Sequence, residues 1–388
     1  MEEERLLVCA RCSGGYPTSE PRWRCVCGGY LRLKQDGAAF PARDLGRRPA
    51  TVWRYREALG IEDERNIVTM GEGFTPLVGF ETAGAAEGCR LLLKLDYLWP
   101  TGSYKDRGST VMISKLKEWG VTAIIEDSSG NAGASLAAYA AAAGIRADIY
   151  VPASISPGKA AQIVIHGANL VQVPGSREAT AAAALKAADK TFYASHNWIP
   201  YFAVGLKTAA YEIAEQLDWE APDWVVAPVG GGSLLIGLYL GFQHLWQSGV
   251  ISRIPRLAGV QASGCAPVYN AWRAGRAEVL PVEKGDTVAE GICIANPVRG
   301  NDVLEAIRGS QGVMCTVTDE AIWQAVETLG RRGIYVEPTG AVSASAIDAL
   351  CRQDVIRPGA RVVAVLTGSG LKATDKIVDH FLAAPAHA

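Results

Sequence analysis

Short apolar runs of strand length alternate with segments of helical length along most of the chain. The predicted strands span residues 90–96, 121–125, 147–151, 169–173, 192–194, 224–229, 256–261 and 361–366. The predicted helices span residues 132–143, 159–166, 178–190, 207–217, 234–245, 319–331 and 339–350. Strands that alternate with helices are typical of parallel sheets joined by right-handed crossovers. The pattern therefore predicts an α/β fold with two doubly wound parallel-sheet domains, in which ligands bind at the carboxyl ends of the strands.

One apolar stretch, residues 224–251, contains no Asp, Glu, Lys or Arg. It is long enough to cross a bilayer, but Pro228 and the run Gly230-Gly231-Gly232-Ser233 interrupt it. Because proline and glycine clusters mark turns, the stretch is interpreted as a strand, a turn and a helix. We therefore expect no membrane span.

The composition is that of an ordinary globular protein. The 388 residues are 49% hydrophobic and 20% charged, with a formal net charge of −2. This length suits two to three domains, and the near-neutral balance provides no basic surface for nucleic acid or anionic membranes. The first five residues, Met1-Glu2-Glu3-Glu4-Arg5, resemble neither a secretory signal nor a transit peptide. We expect a cytoplasmic protein whose partner is a small molecule.

Two pairs of cysteines lie near the N-terminus: Cys9 with Cys12, and Cys25 with Cys27. Four thiolates complete a tetrahedral Zn²⁺ site, and Gly28-Gly29 allows the tight knuckle that points backbone amides at sulfur. The spacing predicts a zinc-ribbon-like segment, although a ribbon packed on the main body without metal fits it as well. The other five of the nine cysteines lie among apolar residues, as reduced buried thiols do.

Lys105 follows a Pro-Thr-Gly-Ser turn and precedes an apolar helical segment, so it is predicted in or just before the first helical turn. Helix N-termini carry partial positive charge, which disfavours an ammonium group. A neutral amine is the form that attacks an aldehyde to make an imine. Lys105 is therefore a candidate imine-forming residue, while a solvated lysine paired with Asp106 is the simpler interpretation.

The turn after the predicted strand 121–125 carries Ser128, Ser129, Asn131 and Ala132. Small residues at a helix N-terminus let backbone amides face a carboxylate, and the Asn131 side chain can donate to an oxygen at the same place. A simple helix cap explains this turn equally well.

Two further turns follow strands. The amides of Gly230, Gly231, Gly232 and Ser233 suit a phosphate monoester at a helix N-terminus, unless the glycines only permit tight packing. Thr367 ends the last predicted strand, and its hydroxyl is a neutral hydrogen-bond partner for a heteroaromatic nitrogen. An imine-forming lysine, two anion sites and a neutral ring partner together describe a pyridoxal phosphate site.

These motifs resemble those of the fold-type-II pyridoxal phosphate enzymes, and residues 100–108 (PTGSYKDRG) are similar to the threonine synthase branch in particular. Residues 71–77, 290–297, 337–338 and 367–372 also resemble that branch. The resemblance runs from about Cys9 to the last strand. It implies a small N-terminal segment (1–45), a large cofactor-binding domain (46–105 with 206–388), a smaller mobile domain (106–205) and a homodimer.

The resemblance also implies roles for the residues of these motifs. Lys105 is the catalytic residue and the covalent attachment point of the cofactor, and its freed amine is the base for the α-proton of the substrate. Asn131, Gly230, Gly231, Gly232, Ser233 and Thr367 also bind the cofactor. Ser128, Ser129, Asn131 and Ala132 bind the carboxylate of the amino-acid substrate.

The substrate phosphate site is less defined, because the arginine that the family places within the stretch matching residues 194–202 is absent here. Ser195, His196 and Lys159 are the candidate replacements. The implied reaction is elimination of phosphate from O-phospho-L-homoserine and addition of water to give L-threonine. Three alternatives stay open: dehydration of threonine or serine, β-replacement on O-phosphoserine as in cysteate formation, and a non-catalytic ribbon-bearing binding module.

Overall fold

The computed structural model describes residues 6–34, 40–81 and 84–382. The acidic residues 1–5, on which the expectation of a cytoplasmic protein partly rests, lie outside this described part. The chain divides into two compact units. The first comprises Met1–Phe74, Lys105–Tyr211 and Leu240–Val250, and the second comprises Thr75–Tyr104, Glu212–Tyr239 and Ile251–Ala388. The predicted three-part domain division stays a prediction.

The secondary structure follows the α/β pattern. The strands are β1 (Leu6–Cys9), β2 (Gly15–Pro17), β3 (Leu31–Leu33), β4 (Leu77–Phe80), β5 (Arg90–Lys94), β6 (Ala123–Glu126), β7 (Arg146–Pro152), β8 (Asn169–Val173), β9 (Phe192–Tyr193), β10 (Trp224–Pro228), β11 (Arg256–Ala262), β12 (Val313–Val317) and β13 (Arg361–Val365). The α-helices are α1 (Lys105–Glu118), α2 (Asn131–Ala143), α3 (Pro157–Val164), α4 (Arg177–Ala187), α5 (Pro200–Gln216), α6 (Ser233–Gln247), α7 (Pro267–Arg273), α8 (Gly300–Gly309), α9 (Asp319–Gly330), α10 (Pro338–Ser345), α11 (Ile347–Arg352) and α12 (Thr374–Phe381).

The first unit contains a parallel sheet of four strands in the order β8-β7-β6-β9. Of its central strands, β6 is mostly buried and β7 buries alternate side chains, and the helices α2 and α4 pack on this sheet. The N-terminal segment adds a small antiparallel sheet in the order β2-β1-β3.

The second unit contains a six-stranded sheet in the order β12-β11-β10-β13-β5-β4. Its strands are parallel except for β4, which runs antiparallel to β5 at the edge. β10 is buried at every position, as expected for a strand covered on both faces. The predicted α/β class with parallel sheets is therefore confirmed.

Most predicted elements agree with the structure to within a few residues, and the differences have identifiable causes. α5 begins at Pro200 rather than at 207, because proline is tolerated at the first helical position. The helix predicted over 339–350 is two helices, α10 and α11. Near this break the Ser345 hydroxyl donates to the carbonyl of Val342 (2.8 Å) and competes with the helical backbone for that acceptor.

Residues 224–251 fold as β10, a glycine turn and α6, as predicted. Across residues 6–34, 40–81 and 84–382, none of the helices combines the length and the apolar content that a bilayer crossing requires.

Candidate active site

Lys105 is the first residue of α1, as predicted. Its Nζ lies 5.6 Å from the ring centroid of Phe202 on α5. The two helices approach closely at Gly108 and Gly205. A Cβ on Gly108 would lie 2.6 Å from the Phe202 ring, and a Cβ on Gly205 would lie 2.1 Å from the carbonyl oxygen of Arg107. Glycine at both positions therefore lets α5 hold the start of α1 in place.

A buried polar cluster ties α1 to α2. The Ser135 hydroxyl lies 2.6 Å from Oδ1 of Asp106 and 2.7 Å from the hydroxyl of Ser109, and all three residues are fully buried. Since buried polar groups are costly unless they are paired, this cluster fixes the helix register directly after Lys105.

The predicted carboxylate-binding turn joins β6 to α2, and α2 begins at Asn131. The Ser128 hydroxyl accepts a hydrogen bond from the backbone N–H of Gly130 (3.4 Å). A Cβ on Gly133 would lie 1.9 Å from the carbonyl oxygen of Ser128, so the first turn of α2 packs directly against this turn. The chain thus places Ser128, Ser129, Asn131 and Ala132 at one helix N-terminus, where partial positive charge attracts anions.

Glu126 and His196 form a close pair beside this turn. Oε1 of Glu126 lies 2.6 Å from Nδ1 of His196, and the side chains are 0% and 10% exposed. Burial, with a smaller effect of the Asp127 charge, raises the pKa of Glu126 well above its ordinary value. Burial, followed by the charges of Lys105 and Arg177, lowers the pKa of His196 well below its ordinary value.

Asp127 is the centre of a second polar group in the same unit. Tyr193 donates its hydroxyl to Oδ1 of Asp127 (2.8 Å). Arg177 donates to the carbonyl oxygen of Asp127 (2.8 Å) and lies 3.8 Å from its Oδ2. Burial and then the Asp127 charge raise the pKa of Tyr193. A cation from α4 is thereby held next to the carboxylate-binding turn.

Ser195 and Lys159, the other candidates for substrate phosphate, lie in different surroundings. Ser195 is buried between β9 and α5, and its hydroxyl accepts from the backbone N–H of Asn197 (3.4 Å). Lys159 is half-buried in the first turn of α3.

In the second unit, the glycine turn lies between β10 and α6. A Cβ on Gly230 would lie 2.8 Å from Cα of Ile292, and Gly232 has a φ of +89° that favours glycine. Within the described residues, no group accepts a hydrogen bond from the backbone N–H of Gly230, Gly231 or Gly232. Successive free amides at the N-terminus of α6 form a site for an anion.

Thr367 lies directly after β13, and its side chain is buried. Within the described part of the chain, its Oγ1 has no hydrogen-bond partner. The surrounding turn is closely packed, because Gly368 approaches Glu337 so closely that a Cβ would lie 2.0 Å from Oε1. A buried hydroxyl without a partner is available to a ligand.

The four N-terminal cysteines converge as predicted, and their Sγ atoms all lie within 4.8 Å of one another. Cys9 Sγ accepts from the backbone N–H of Arg11 (3.3 Å) and Cys12 (3.5 Å), as in a metal-binding knuckle. A Cβ on Gly29 would lie 2.7 Å from Cys9 Sγ. Tetrahedral Zn²⁺ with Zn–S bonds of about 2.3 Å needs sulfurs about 3.8 Å apart, so the cluster has the size of a zinc site.

The cysteine segment also contacts the parallel sheet of its unit through Trp23. The Trp23 ring packs edge-on against Tyr193 (5.0 Å between centroids) and Trp198 (5.5 Å). It therefore touches the residue that binds Asp127 and the loop that carries His196.

Sequence reasoning did not select Glu126, Asp127 or Arg177 as site residues. For Glu126, the sequence offered one signal, which is that a glutamate ends an otherwise apolar strand. Arg177 carries no local signal, because it is 50 residues from Asp127 in the chain and meets it only in the folded unit.

A family model described as pyridoxal-phosphate dependent enzyme matches residues 68–368. The chain is similar to a curated threonine synthase of Methanocaldococcus jannaschii, with 35% identity over 96% of this chain and 94% of the relative. It is also similar to a threonine synthase of Synechocystis sp., with 37% identity over 85% of this chain and 86% of the relative.

Two solved structures are similar in fold. The threonine deaminase of T.th. has a TM-score of 0.64 and 27% identity, over 76% of this chain and 92% of that chain. Maize serine racemase has a TM-score of 0.68 over 86% of this chain and 99% of that chain, but at 21% identity it shows the fold alone. The resemblance noted from the motifs is confirmed: the chain belongs to the pyridoxal-phosphate-dependent enzymes, in the branch that contains these threonine synthases.

Proposed function

We propose that this chain is a threonine synthase that converts O-phospho-L-homoserine and water into L-threonine and phosphate. One observation carries the proposal: the curated threonine synthase of Methanocaldococcus jannaschii matches 96% of this chain at 35% identity. The similarity to the threonine deaminase covers 76% of the chain at 27% identity, so dehydration is the second candidate.

Each unit carries residues that are proposed to bind the cofactor. The free amides of the turn from Gly230 to Ser233 take the phosphate, and the buried Thr367 hydroxyl takes the ring nitrogen. In the first unit Lys105 forms the covalent bond and Asn131 donates to the ring. The unsatisfied Oγ1 of Thr367 and the uncommitted glycine amides support this assignment. When bound, the cofactor supplies an electron sink for charge that develops on the substrate α-carbon.

Binding of the substrate and transfer of protons are assigned to residues of the protein itself. Ser128, Ser129 and the amides that follow them orient the substrate carboxylate at the N-terminus of α2. The Lys105 amine removes and returns protons next to the substrate α-carbon, because it is tethered there. Ser195, His196 and Lys159 are the proposed partners of the substrate phosphate.

The cysteine segment is proposed to be a zinc ribbon with Cys9, Cys12, Cys25 and Cys27 as ligands. The size of the sulfur cluster and the amide donors to Cys9 support it. We also propose that the protein is cytoplasmic and that it forms a homodimer. Size-exclusion chromatography with light scattering tests the dimer directly.

A four-way substrate assay tests the reaction. The holoenzyme is incubated separately with O-phospho-L-homoserine, L-threonine, L-serine, and O-phospho-L-serine with sulfite. Threonine and phosphate in equal amounts from the first mixture are expected. An oxo acid with ammonia from threonine or serine would instead identify a dehydratase, and cysteate from the fourth mixture a β-replacement enzyme. A protein that is inert in all four mixtures and takes up no cofactor would be a binding module.

A further inference from the structure

The pairing of Glu126 with His196 follows from the sheet. β6 and β9 are parallel neighbours, with Ile125 opposite Tyr193, and the Ala194 N–H donates to the carbonyl of Ile125 (2.9 Å). Glu126 ends β6 and His196 follows β9, so their side chains meet at the carboxyl ends of two adjacent strands, where ligands bind in such sheets.

The imidazole of His196 contacts Glu126 through one of its two ring nitrogens. Nδ1 lies 2.6 Å from Glu126, and the side chain is nine-tenths buried. Among residues 6–34, 40–81 and 84–382, no group hydrogen-bonds to Nε2. A ring nitrogen that has no protein partner among these residues, on a side chain that is nine-tenths buried, is available to a ligand.

The pair holds two protons in its electrically neutral form. With one of them between Oε1 and Nδ1, the other is on Nε2. Moving the first proton from Oε1 to Nδ1 changes a carboxylic acid and a neutral imidazole into a carboxylate and an imidazolium, and Nε2 keeps its proton in both arrangements. Loss of a proton would leave a net negative pair next to Asp127, which burial disfavours although Lys105 and Arg177 lie nearby.

We propose that Glu126 is a positioning residue that holds His196 as a hydrogen-bond donor, and that the Nε2–H of His196 binds the phosphate group of the substrate. The proposal rests on the proposed function, in which a phosphorylated amino acid is the substrate. As the dianion arrives, the shared proton moves from Oε1 of Glu126 to Nδ1 of His196. The imidazole becomes cationic without a proton from solvent, and the Glu126 carboxyl becomes anionic, so the pair keeps a net charge of zero. The imidazolium then serves as the charged donor in place of the arginine that residues 194–202 lack.

The surroundings of His196 place this donor close to the reacting groups. The Phe202 ring lies 5.6 Å from the His196 ring and 5.6 Å from Lys105 Nζ. The cation of Arg177 lies beside Asp127, one residue after Glu126. His196 and Lys105 therefore both lie against the Phe202 ring, in the unit that also carries the carboxylate-binding turn.

Calorimetric titration of the holoenzyme with inorganic phosphate tests the proposal. His196→Gln is expected to weaken phosphate binding roughly tenfold to a hundredfold, the range for a hydrogen bond to a charged group. Glu126→Gln keeps the shape of the carboxyl but cannot transfer a proton, so a loss of about tenfold is expected. His166→Gln, at an exposed position, is the matched control with wild-type affinity. Circular dichroism and the visible absorbance of the bound cofactor report that each variant is folded and loaded.

Nitrogen-15 NMR of the histidine-labelled wild type tests the proton positions without any variant. Nε2 of His196 should be protonated before phosphate is added, and Nδ1 should shift towards the imidazolium position when phosphate binds. The second shift should disappear in Glu126→Gln, which a merely structural role of Glu126 would not cause.

The outcomes separate this inference from the proposed reaction. Phosphate affinity that is undetectable in the wild type, or unchanged in His196→Gln, overturns the anion site, as does an unprotonated Nε2. If phosphate binds through His196 but no threonine forms from O-phospho-L-homoserine, the proposed reaction fails and the anion site stands.

Discussion

The backbone N–H of Tyr104 donates to the carbonyl oxygen of Thr367 (3.1 Å) and thereby joins the segment before Lys105 to the turn after β13. Ser369 adds a second bond of this kind, from its N–H to the carbonyl of Gly102 (2.9 Å). Backbone hydrogen bonds thus hold the Thr367 turn, while the Thr367 hydroxyl has no partner among the described residues.

Thr367→Val should have opposite effects on the cofactor-free and cofactor-loaded protein. Removing a buried, unsatisfied hydroxyl should leave the free energy of unfolding of the cofactor-free protein unchanged or about 1 kcal/mol higher. Cofactor affinity should fall about tenfold, because the ring nitrogen loses its partner. Urea unfolding and fluorescence titration with pyridoxal phosphate measure the two effects. Thr328→Val on the surface of α9 is the control, and equal affinities in both variants would remove Thr367 from the site.

Lys105→Ala should abolish covalent cofactor binding and lower turnover by roughly 10²-fold to 10⁴-fold or more, since the residue is both the attachment point and the proposed base. Borohydride reduction followed by mass spectrometry of tryptic peptides should find the cofactor on Lys105 in the wild type. The exposed Lys190→Ala should behave as the wild type. Wild-type turnover in Lys105→Ala would show that another residue is catalytic.

Gly232→Ala should destabilise the protein by about 1–3 kcal/mol and weaken cofactor binding. The backbone at Gly232 has a φ of +89°, and a Cβ would lie 2.2 Å from Cγ2 of Val303. The matched control is Gly330→Ala at the end of α9, where a Cβ meets nothing within 4 Å. It should be neutral or slightly stabilising. Urea unfolding measures both variants, and equal effects would contradict the steric argument.

Glu126→Gln should change the pH dependence of stability. The pKa of Glu126 is raised in the folded chain, so its stabilising contribution is complete below the ordinary glutamate value of about 4.3 and is lost as pH rises towards the folded value. The lowered pKa of His196 affects the stability only below about pH 6.5, where histidine in the unfolded chain becomes protonated. Above about pH 6.5, and up to the raised pKa of Glu126 in the folded chain, the wild type should therefore lose stability relative to Glu126→Gln, by at most about 1.4 kcal/mol per pH unit.

Urea unfolding of the cofactor-free proteins at several pH values measures this difference. Glu327→Gln should follow the wild type, because the Glu327 side chain is 46% exposed and pairs with Arg331 on the surface of α9. If the wild type and Glu126→Gln had the same pH slope, Glu126 would not hold a proton in the folded chain.

Cys12→Ser should lose the zinc that the four-cysteine cluster is proposed to bind and should melt at a lower temperature, because structural metal binding contributes to folding. Elemental analysis should find one zinc per chain in the wild type and in the control Cys351→Ser, whose thiol lies near Cys89 in the second unit. Zinc retained by Cys12→Ser, or absent from the wild type, would argue for a ribbon without metal.

Several local features of this protein could be predicted from its sequence, because they depend on residues that are close together in the chain. Lys105 at the start of α1, the glycine turn between β10 and α6, and the clustered cysteines all depend on neighbouring residues or short loops. Propensity and glycine placement act over a few residues and need no knowledge of the fold. The edge strands β4 and β12, whose side chains are mostly only partly buried, were not predicted.

The tertiary structure decided which distant residues meet. Glu126 faces His196 only because β6 and β9 are neighbours in the sheet, and Arg177 reaches Asp127 only because α4 packs on that sheet. The sequence by itself determined the family, the cofactor chemistry and the position of Lys105. The charges around the candidate phosphate site were set by the fold, because burial and long-range contacts, rather than residue type alone, govern whether a carboxyl or an imidazole holds its proton.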